Sequence, residues 1–240
     1  MYGVHFLLNR CLAVVSLGWT VELALKPLVE ASRECDVVEA IFIASKPLTS
    51  YAEKRFGEVA GLIKTFLAAL PTLDKYEIRA IDVNGRPLED IVALVLESVQ
   101  GRKDDYMLWF VAGGGQRVIA IAVVLAGILV AALLSRIVRI YVVNEETKEM
   151  HKLDIDALLL AIKGLGPTQL QILSALTRQP SSYSELAREL SKDEVTIRRI
   201  ISMLKVQGLV ECGRRGRRVE CKASNRGKTL AKILSMLRDK

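Results

Sequence analysis

The chain has 240 residues, which exceeds one average domain and is enough for two. Its composition, 51% apolar and 25% charged, is typical of an ordered globular protein and excludes disordered and collagen-like classes. The charge is uneven: residues 161–240 carry 17 Lys+Arg against 7 Asp+Glu, whereas residues 1–160 carry 17 against 20. The basic C-terminal part therefore favours a polyanionic partner such as nucleic acid, and the N-terminal part must bind something else.

The N-terminal part alternates between predicted strands and predicted helices. The strand-like runs are 12–16, 37–45, 76–83, 106–112 and 137–144, and the helical runs between them are 21–35, 52–70, 88–100 and 118–134. We expect Pro27 to kink or shorten the first helix, and the polar turn 144–149 to close a hairpin. This alternation predicts an α/β Rossmann-like domain, a parallel sheet with helices on both faces. Ligands of such sheets bind at the carboxyl ends of the strands.

Residues 118–134 are apolar without a single charge, close to the length of a membrane span. Arg117 and Arg136 bound the segment, and the strand-like runs on either side of it need a shared sheet. We therefore interpret it as a helix covered by protein or by a second subunit, with a membrane span as the alternative. The N-terminus has neither a basic region before its apolar stretch nor a cleavage pattern, so we expect a cytoplasmic protein.

The four cysteines, Cys11, Cys35, Cys212 and Cys221, form no CxxC pair and are accompanied by only two histidines. This argues against a zinc site, and we predict no metal. Cys212 and Cys221 lie on predicted facing strands, where a disulfide would require an oxidising or hyperthermophile cytosol. Frequent Glu, Lys and Arg with few Asn and Gln are typical of a thermophile. We nevertheless predict two small buried apolar side chains at these positions.

The C-terminal pattern changes to helices followed by a hairpin, which predicts a winged helix-turn-helix. We place the first domain at 1–156, a linker at 157–166 and the second domain at 167–240. An amphipathic helix over 167–179 precedes a capping box formed by Ser182 and Glu185. Asp193 is the predicted N-cap of the recognition helix, and Gly208 ends that helix in a left-handed conformation.

The exposed face of the recognition helix and a basic hairpin tip are the candidate DNA-binding residues. In the helix they are Val195, Thr196, Arg198, Arg199 and Ser202, and in the wing they are Arg214, Arg215, Arg217 and Arg218. Arginine can bind guanine bidentately, threonine and valine can contact a thymine methyl group, and a wing of arginines suits phosphate contacts. We predict binding of double-stranded DNA; the alternatives are a merely solvated basic face and a protein-binding module.

Two loops at predicted carboxyl ends of strands are the candidate ligand site. Their residues are Ser16, Leu17, Gly18, Trp19 and Thr20 in the first loop, and Gly113, Gly114, Gly115, Gln116 and Arg117 in the second. Consecutive glycines before a helix expose backbone N–H groups to an anion. A dinucleotide fingerprint is rejected because it would need glycine or alanine at Val118 and should follow the first strand.

These residues resemble a family of CRISPR-associated regulators, of archaeal type, that join a Rossmann-like CARF domain to a C-terminal winged helix. The resemblance covers essentially the whole chain in domain order and length. LAVVSLGW matches the family's first strand and glycine-containing loop, and Gly114 to Arg117 match its G-G-x-[RK] motif after the fourth strand. The part of that second motif that is usually polar is replaced here by residues 111–113.

The resemblance implies a homodimer whose two CARF domains bind a cyclic oligoadenylate across the two-fold axis, with cyclic tetra-adenylate expected. Gln116 or Arg117 would approach phosphates, and Trp19 would meet adenine or else be a core or interface aromatic. The effector would change operator affinity of a regulator in antiviral defence. We expect no cofactor and no catalysis, since no histidine or carboxylate stands beside the glycine loop in sequence. The alternatives are slow cleavage of the ring, as some CARF domains perform, and a regulator that senses another small molecule.

Overall fold

A computed structural model describes residues 10–70, 73–102, 106–134, 137–163, 165–215 and 218–238. The chain divides into two compact units between Ile155 and Asp156. Each unit has its own hydrophobic core.

The N-terminal unit is a Rossmann-like α/β fold, as the sequence predicts. Its elements are β1 (Arg10–Ser16), α1 (Glu22–Glu34), β2 (Asp36–Ser45), α2 (Ser50–Leu67), β3 (Lys75–Ile81), α3 (Leu88–Val99), β4 (Met107–Ala112), α4 (Arg117–Leu133), β5 (Val138–Val143) and β6 (Met150–Lys152). Five strands run parallel in the order β3-β2-β1-β4-β5, and β6 pairs antiparallel with β5. The carboxyl ends of β1 and β4 are therefore neighbours.

Helices cover both faces of this sheet. Nearly every side chain of the central strands is therefore buried, and nearly all of them are apolar. Trp109 lies on the face covered by α1 and α2 and stacks on Tyr141, with ring centroids 4.8 Å apart. Phe110, the next residue of β4, faces α4. There a Cβ at Gly127 would stand 2.9 Å from Phe110 Cγ, so this glycine allows the helix to approach the sheet closely. Continuous apolar strands of this kind are typical of a sheet that is covered on both faces.

Helix α1 runs through Pro27 as far as Glu34, so the predicted shortening is wrong. Proline removes the N–H that would bond the carbonyl four residues earlier, which is that of Leu23. That carbonyl lies in the first turn of α1, against the backbone of Gly113, where an added Cβ would stand 2.5 Å from it. Only one hydrogen bond near the helix end is lost, and the Pro27 ring is buried in the core.

The C-terminal unit has the predicted winged helix-turn-helix order. Its elements are α5 (Ile155–Lys163), α6 (Pro167–Arg178), β7 (Ser181–Ser182), α7 (Tyr183–Glu189), α8 (Glu194–Val206), β8 (Val210–Arg215), β9 (Arg218–Ala223) and α9 (Asn225–Arg238). Three strands form a sheet in the order β7-β9-β8. The sequence predicts a linker at 157–166, whereas α5 occupies most of that range. The core of the C-terminal unit combines side chains of α6, α7, α8 and α9 with the inner faces of β8 and β9.

All four cysteines are paired in disulfides, which corrects the prediction of separate thiols. Cys212 and Cys221 lie directly opposite each other in the β8–β9 ladder, with Cα atoms 4.1 Å apart. Cys11 at the start of β1 joins Cys35 at the end of α1, with Cα atoms 6.1 Å apart. Both Cα separations are short enough for a disulfide bridge. Within the described residues, no group of three or more His, Cys, Asp or Glu could hold a metal ion.

Helix α4 packs on the sheet through one side only. Its inner residues are Ile119, Ala122, Val123, Ala126, Gly127 and Val130. On its outer side Ile121 is 49% exposed, Leu129 is 39% exposed and Leu133 is 74% exposed. Among the helices in the described part of the chain, α4 included, none is long and apolar enough to cross a membrane.

Candidate functional site

The two predicted ligand loops meet at the carboxyl edge of the sheet, since β1 pairs directly with β4. Ser16 is fully buried between them, and its hydroxyl accepts hydrogen bonds from Gly113 N at 3.0 Å and Gly114 N at 3.2 Å. The Ser16 carbonyl also accepts from Gly114 N at 3.2 Å. Two of the three glycine N–H groups are therefore already used inside the protein and face no ligand.

The glycines are required for backbone packing between the loops. A Cβ at Gly18 would stand 2.2 Å from Gly115 N, and a Cβ at Gly115 would stand 2.3 Å from Leu17 O. Gly115 also has φ +96°, a conformation that residues with side chains rarely adopt. The consecutive glycines thus let one loop lie on the other, and this packing accounts for them without an anion.

Above the loops lies an open cavity of about 400 Å³, within the range of small-molecule sites. Its lining comprises Leu17, Gly18, Trp19, Thr20, Leu23, Ala44, Ser45, Phe56, Gly115, Gln116, Glu145 and Lys148. Six of the ten predicted ligand residues are among them. The Trp19 side chain is 53% exposed, so it is not a core aromatic within this unit.

The other four predicted ligand residues lie elsewhere. Ser16, Gly113 and Gly114 are buried beneath the cavity, where they hold the loops together. Arg117 begins α4 with an exposed side chain and does not line the cavity. Its predicted approach to phosphates therefore needs a ligand that extends beyond this cavity.

Sequence reasoning missed the contribution of the turn between β5 and β6. Glu145 and Lys148 of this turn line the cavity, as do Ser45 and Phe56. The topology contains the signal: a hairpin turn after a parallel strand lies at the carboxyl edge of the sheet, where ligands bind. Glu145 is thus an acidic residue of the lining, which the sequence around the glycine loop does not show.

The recognition helix α8 begins as predicted. The Asp193 carboxylate accepts a hydrogen bond from Thr196 N at 2.7 Å, and bonds from Thr196 lower the pKa of this carboxyl. In the preceding α7, Ser182 Oγ accepts from Glu185 N and Glu185 accepts from Ser182 N at 2.7 Å, which completes the capping box. Gly208 ends the helical region with φ +70°. These local interactions fix where α8 begins and ends.

Helix α8 buries one face and exposes the other. Ile197, Ile200, Ile201 and Leu204 are buried in the domain core. Of the predicted DNA-binding residues, Val195, Arg198, Arg199 and Ser202 are exposed, with Val195 at 77%, and Thr196 is half-buried. The exposed residues are thus available to a groove of DNA.

Two interactions restrain Arg198. Its guanidinium donates two hydrogen bonds to Glu194 Oε1, at 2.6 and 3.0 Å, and lies 5.2 Å from the ring centroid of Tyr183. An exposed ion pair between side chains one helical turn apart contributes only about 0.3–0.5 kcal/mol to stability, so a guanine could replace Glu194 as the partner of Arg198. No ion pair of Arg199 is found within the described residues.

The wing is the hairpin formed by β8 and β9. Arg215 and Arg218 form the last pair of its ladder, and Arg214 is exposed beside them. Arg217 lies outside the described residues. Of the four residues that the strand alternation predicts to face inward, Val210 and Cys221 are almost fully buried, whereas Cys212 and Val219 are half-buried. The wing is thus anchored on the domain core at its base.

The fold and the exposed face of α8 define the C-terminal unit as a winged helix-turn-helix DNA-binding domain. Residues 166–211 match the family described as bacterial regulatory protein, arsR family. This match covers the span from the start of α6 to the first residues of β8 and includes the recognition helix. The chain therefore carries the DNA-binding domain of a transcriptional regulator.

Solved structures similar to this chain align over about a third of it. Reduced HlyU from Vibrio cholerae N16961 is 25% identical over 35% of this chain and 87% of its own, with a TM-score of 0.30. The transcriptional regulator HlyU from Vibrio vulnificus CMCP6 is 28% identical over 34% and 84%, with a TM-score of 0.30. A Lactococcus lactis ZitR mutant in complex with DNA is 23% identical over 32% and 54%, with a TM-score of 0.30.

For another ZitR mutant the alignment spans 53% of that protein's length and 31% of this chain. No curated protein matches the chain.

Proposed function

We propose that the protein is a ligand-responsive transcriptional regulator of a CRISPR–Cas system. In this proposal the N-terminal unit binds a cyclic oligoadenylate, cyclic tetra-adenylate in the first place, and the C-terminal unit binds operator DNA. The observation that carries the proposal is the cavity at the carboxyl ends of β1 and β4, in a chain that also has an ArsR-type helix-turn-helix. In this proposal the affinity for the ligand and the affinity for DNA are coupled.

A homodimer is part of this proposal. The outer side of α4 and the adjacent side of α3 form an apolar groove, lined in part by Leu96, Leu129, Leu133 and Leu134. Exposed apolar surfaces of this kind often mark protein interfaces. A two-fold dimer would bring two copies of the ligand loops to one symmetric effector, whose size exceeds that of one cavity. This arrangement would also bring a second Arg117 to the ligand.

A regulator that senses a smaller molecule is the second candidate. The cavity within one chain, about 400 Å³, is at the small end of the range for small-molecule sites, and its lining includes one lysine and one glutamate. A neutral lining suits a small ligand better than a ring with four phosphates. We also propose that the protein has no catalytic activity. Linear product after incubation with the ring would contradict that part, and Glu145 would be the carboxylate to test.

Calorimetric titration of the full chain with cyclic tetra-adenylate tests the proposal. We expect saturable binding with one ring per two chains, because a two-fold axis passes through the ligand site. ATP and linear tetra-adenylate serve as matched probes. If the ring does not bind but ATP does, the second candidate function holds. A stoichiometry of one ring per chain would contradict the shared site.

A further inference from the structure

The turn between β5 and β6 forms an ordered wall of the ligand cavity. Asn144 Oδ1 accepts hydrogen bonds from Glu146 N at 2.9 Å and Thr147 N at 3.1 Å. The Asn144 backbone also bonds to Glu149 O and to Lys148 N, both at 2.9 Å. The backbone of the turn is thus held by hydrogen bonds within the turn.

Lys148 occupies an unusual position in this turn. Its φ is +58°, a left-handed conformation in which glycine or asparagine is the ordinary choice. Its ammonium donates a hydrogen bond to the Glu145 carbonyl, and the side chain is half-buried. Among the described residues that line the cavity, Lys148 is the only cation. The turn thus places the single lysine of the cavity lining where glycine or asparagine would serve the backbone better.

Lys26 of α1 binds the backbone of the turn. Its ammonium donates a hydrogen bond of 2.6 Å to the Lys148 carbonyl, across 122 residues of sequence. Lys26 is half-buried and does not line the cavity. The bond therefore fixes the backbone that carries Lys148.

We propose that Lys148 is the anion-binding residue of the cavity and contacts a phosphate of the nucleotide ligand, while Lys26 is a positioning residue that acts through the turn. Trp19 and Phe56 line the same cavity and offer aromatic surface to a base. Glu145 also belongs to this neutral lining, so the cavity suits one nucleotide unit of the ring, with its phosphate at the Lys148 ammonium and its base at an aromatic ring. This inference rests on the proposed nucleotide-sensing function, and it assigns the phosphate contact to the turn instead of the glycine loop.

Calorimetric titration of full-length variants with cyclic tetra-adenylate at two salt concentrations tests this inference. Lys148→Gly removes the ammonium and suits the left-handed backbone, so folding is retained. We expect it to weaken binding about 10- to 100-fold, the value of a charge-assisted hydrogen bond, and to reduce the salt dependence. Lys148→Arg should keep both affinity and salt dependence within a few-fold. Lys26→Met should weaken binding but keep the salt dependence, since the Lys148 charge remains.

Lys152→Met is the matched control, because this lysine is exposed on β6 of the same hairpin and does not line the cavity. It should bind the ring as the wild type does. Wild-type affinity in Lys148→Gly would overturn the role of Lys148 and leave the proposed function intact. No binding by the wild type would overturn both.

Discussion

Replacing Arg199 by alanine is expected to weaken binding of the full chain to its operator duplex by about 10- to 100-fold. Arg199 lies on the exposed face of the recognition helix, and no ion pair of it is found within the described residues. Its guanidinium is therefore free to bind a guanine bidentately, whereas Arg198 must first leave Glu194. The loss should be concentrated at one base position of the operator.

The measurement is fluorescence anisotropy with a duplex that the wild-type chain selects from a random pool. Arg33→Ala is the charge-matched control, since Arg33 is an exposed arginine of the N-terminal unit paired with Glu30. Arg214→Ala in the wing should weaken binding to all duplexes and reduce the salt slope by about 1, as expected for a phosphate contact. If Arg199→Ala and Arg33→Ala bind alike, α8 does not read DNA through this residue.

Replacing Gly115 by alanine is expected to destabilise the N-terminal unit by about 3 kcal/mol. The new Cβ would stand 2.3 Å from Leu17 O, and the backbone has φ +96°. Leu17 O is a backbone atom and cannot turn away as a flexible side chain could, so the two loops would have to move apart. The ligand cavity would be lost with them.

Urea unfolding followed by tryptophan fluorescence measures this effect, because both tryptophans, Trp19 and Trp109, belong to the N-terminal unit. Gly85→Ala is the matched control for strain alone, since Gly85 has φ +65° but open space around its Cβ position. It should cost only about 1 kcal/mol. Gly61→Ala on α2 meets nothing either and should stabilise by about 0.5 to 1 kcal/mol. Equal stabilities for Gly115→Ala and Gly85→Ala would show that the loops do not pack as described.

Much of the fold was predictable from local patterns. The β-branched runs predict all five parallel strands of the N-terminal sheet. The capping residues Ser182 and Asp193 predict where α7 and α8 begin. The errors have tertiary causes. Pro27 is tolerated because only the Leu23 carbonyl loses a partner, near the start of the helix. The Cys11–Cys35 disulfide forms because the end of α1 lies beside the start of β1. The separation of the two cysteines in sequence does not reveal this proximity.

The candidate ligand site was only partly predictable. The alternation predicts that both glycine loops lie at the carboxyl edge of the sheet, and the parallel pairing of β1 and β4 makes them neighbours. The sequence does not show which N–H groups face inward, and Ser16 takes those of Gly113 and Gly114. Lys148 was missed because the turn at 144–149 is distant in sequence from both loops and enters the site only through the sheet order.

We propose that the ligand site and the DNA-binding site are coupled. The most direct test is the affinity of the full chain for its selected duplex with and without saturating cyclic tetra-adenylate. We predict a change of about 5-fold or more, and the same factor in the affinity for the ring when the duplex is present, because coupling between two binding equilibria is reciprocal. Equal affinity for the duplex in both conditions would contradict a ligand-responsive regulator.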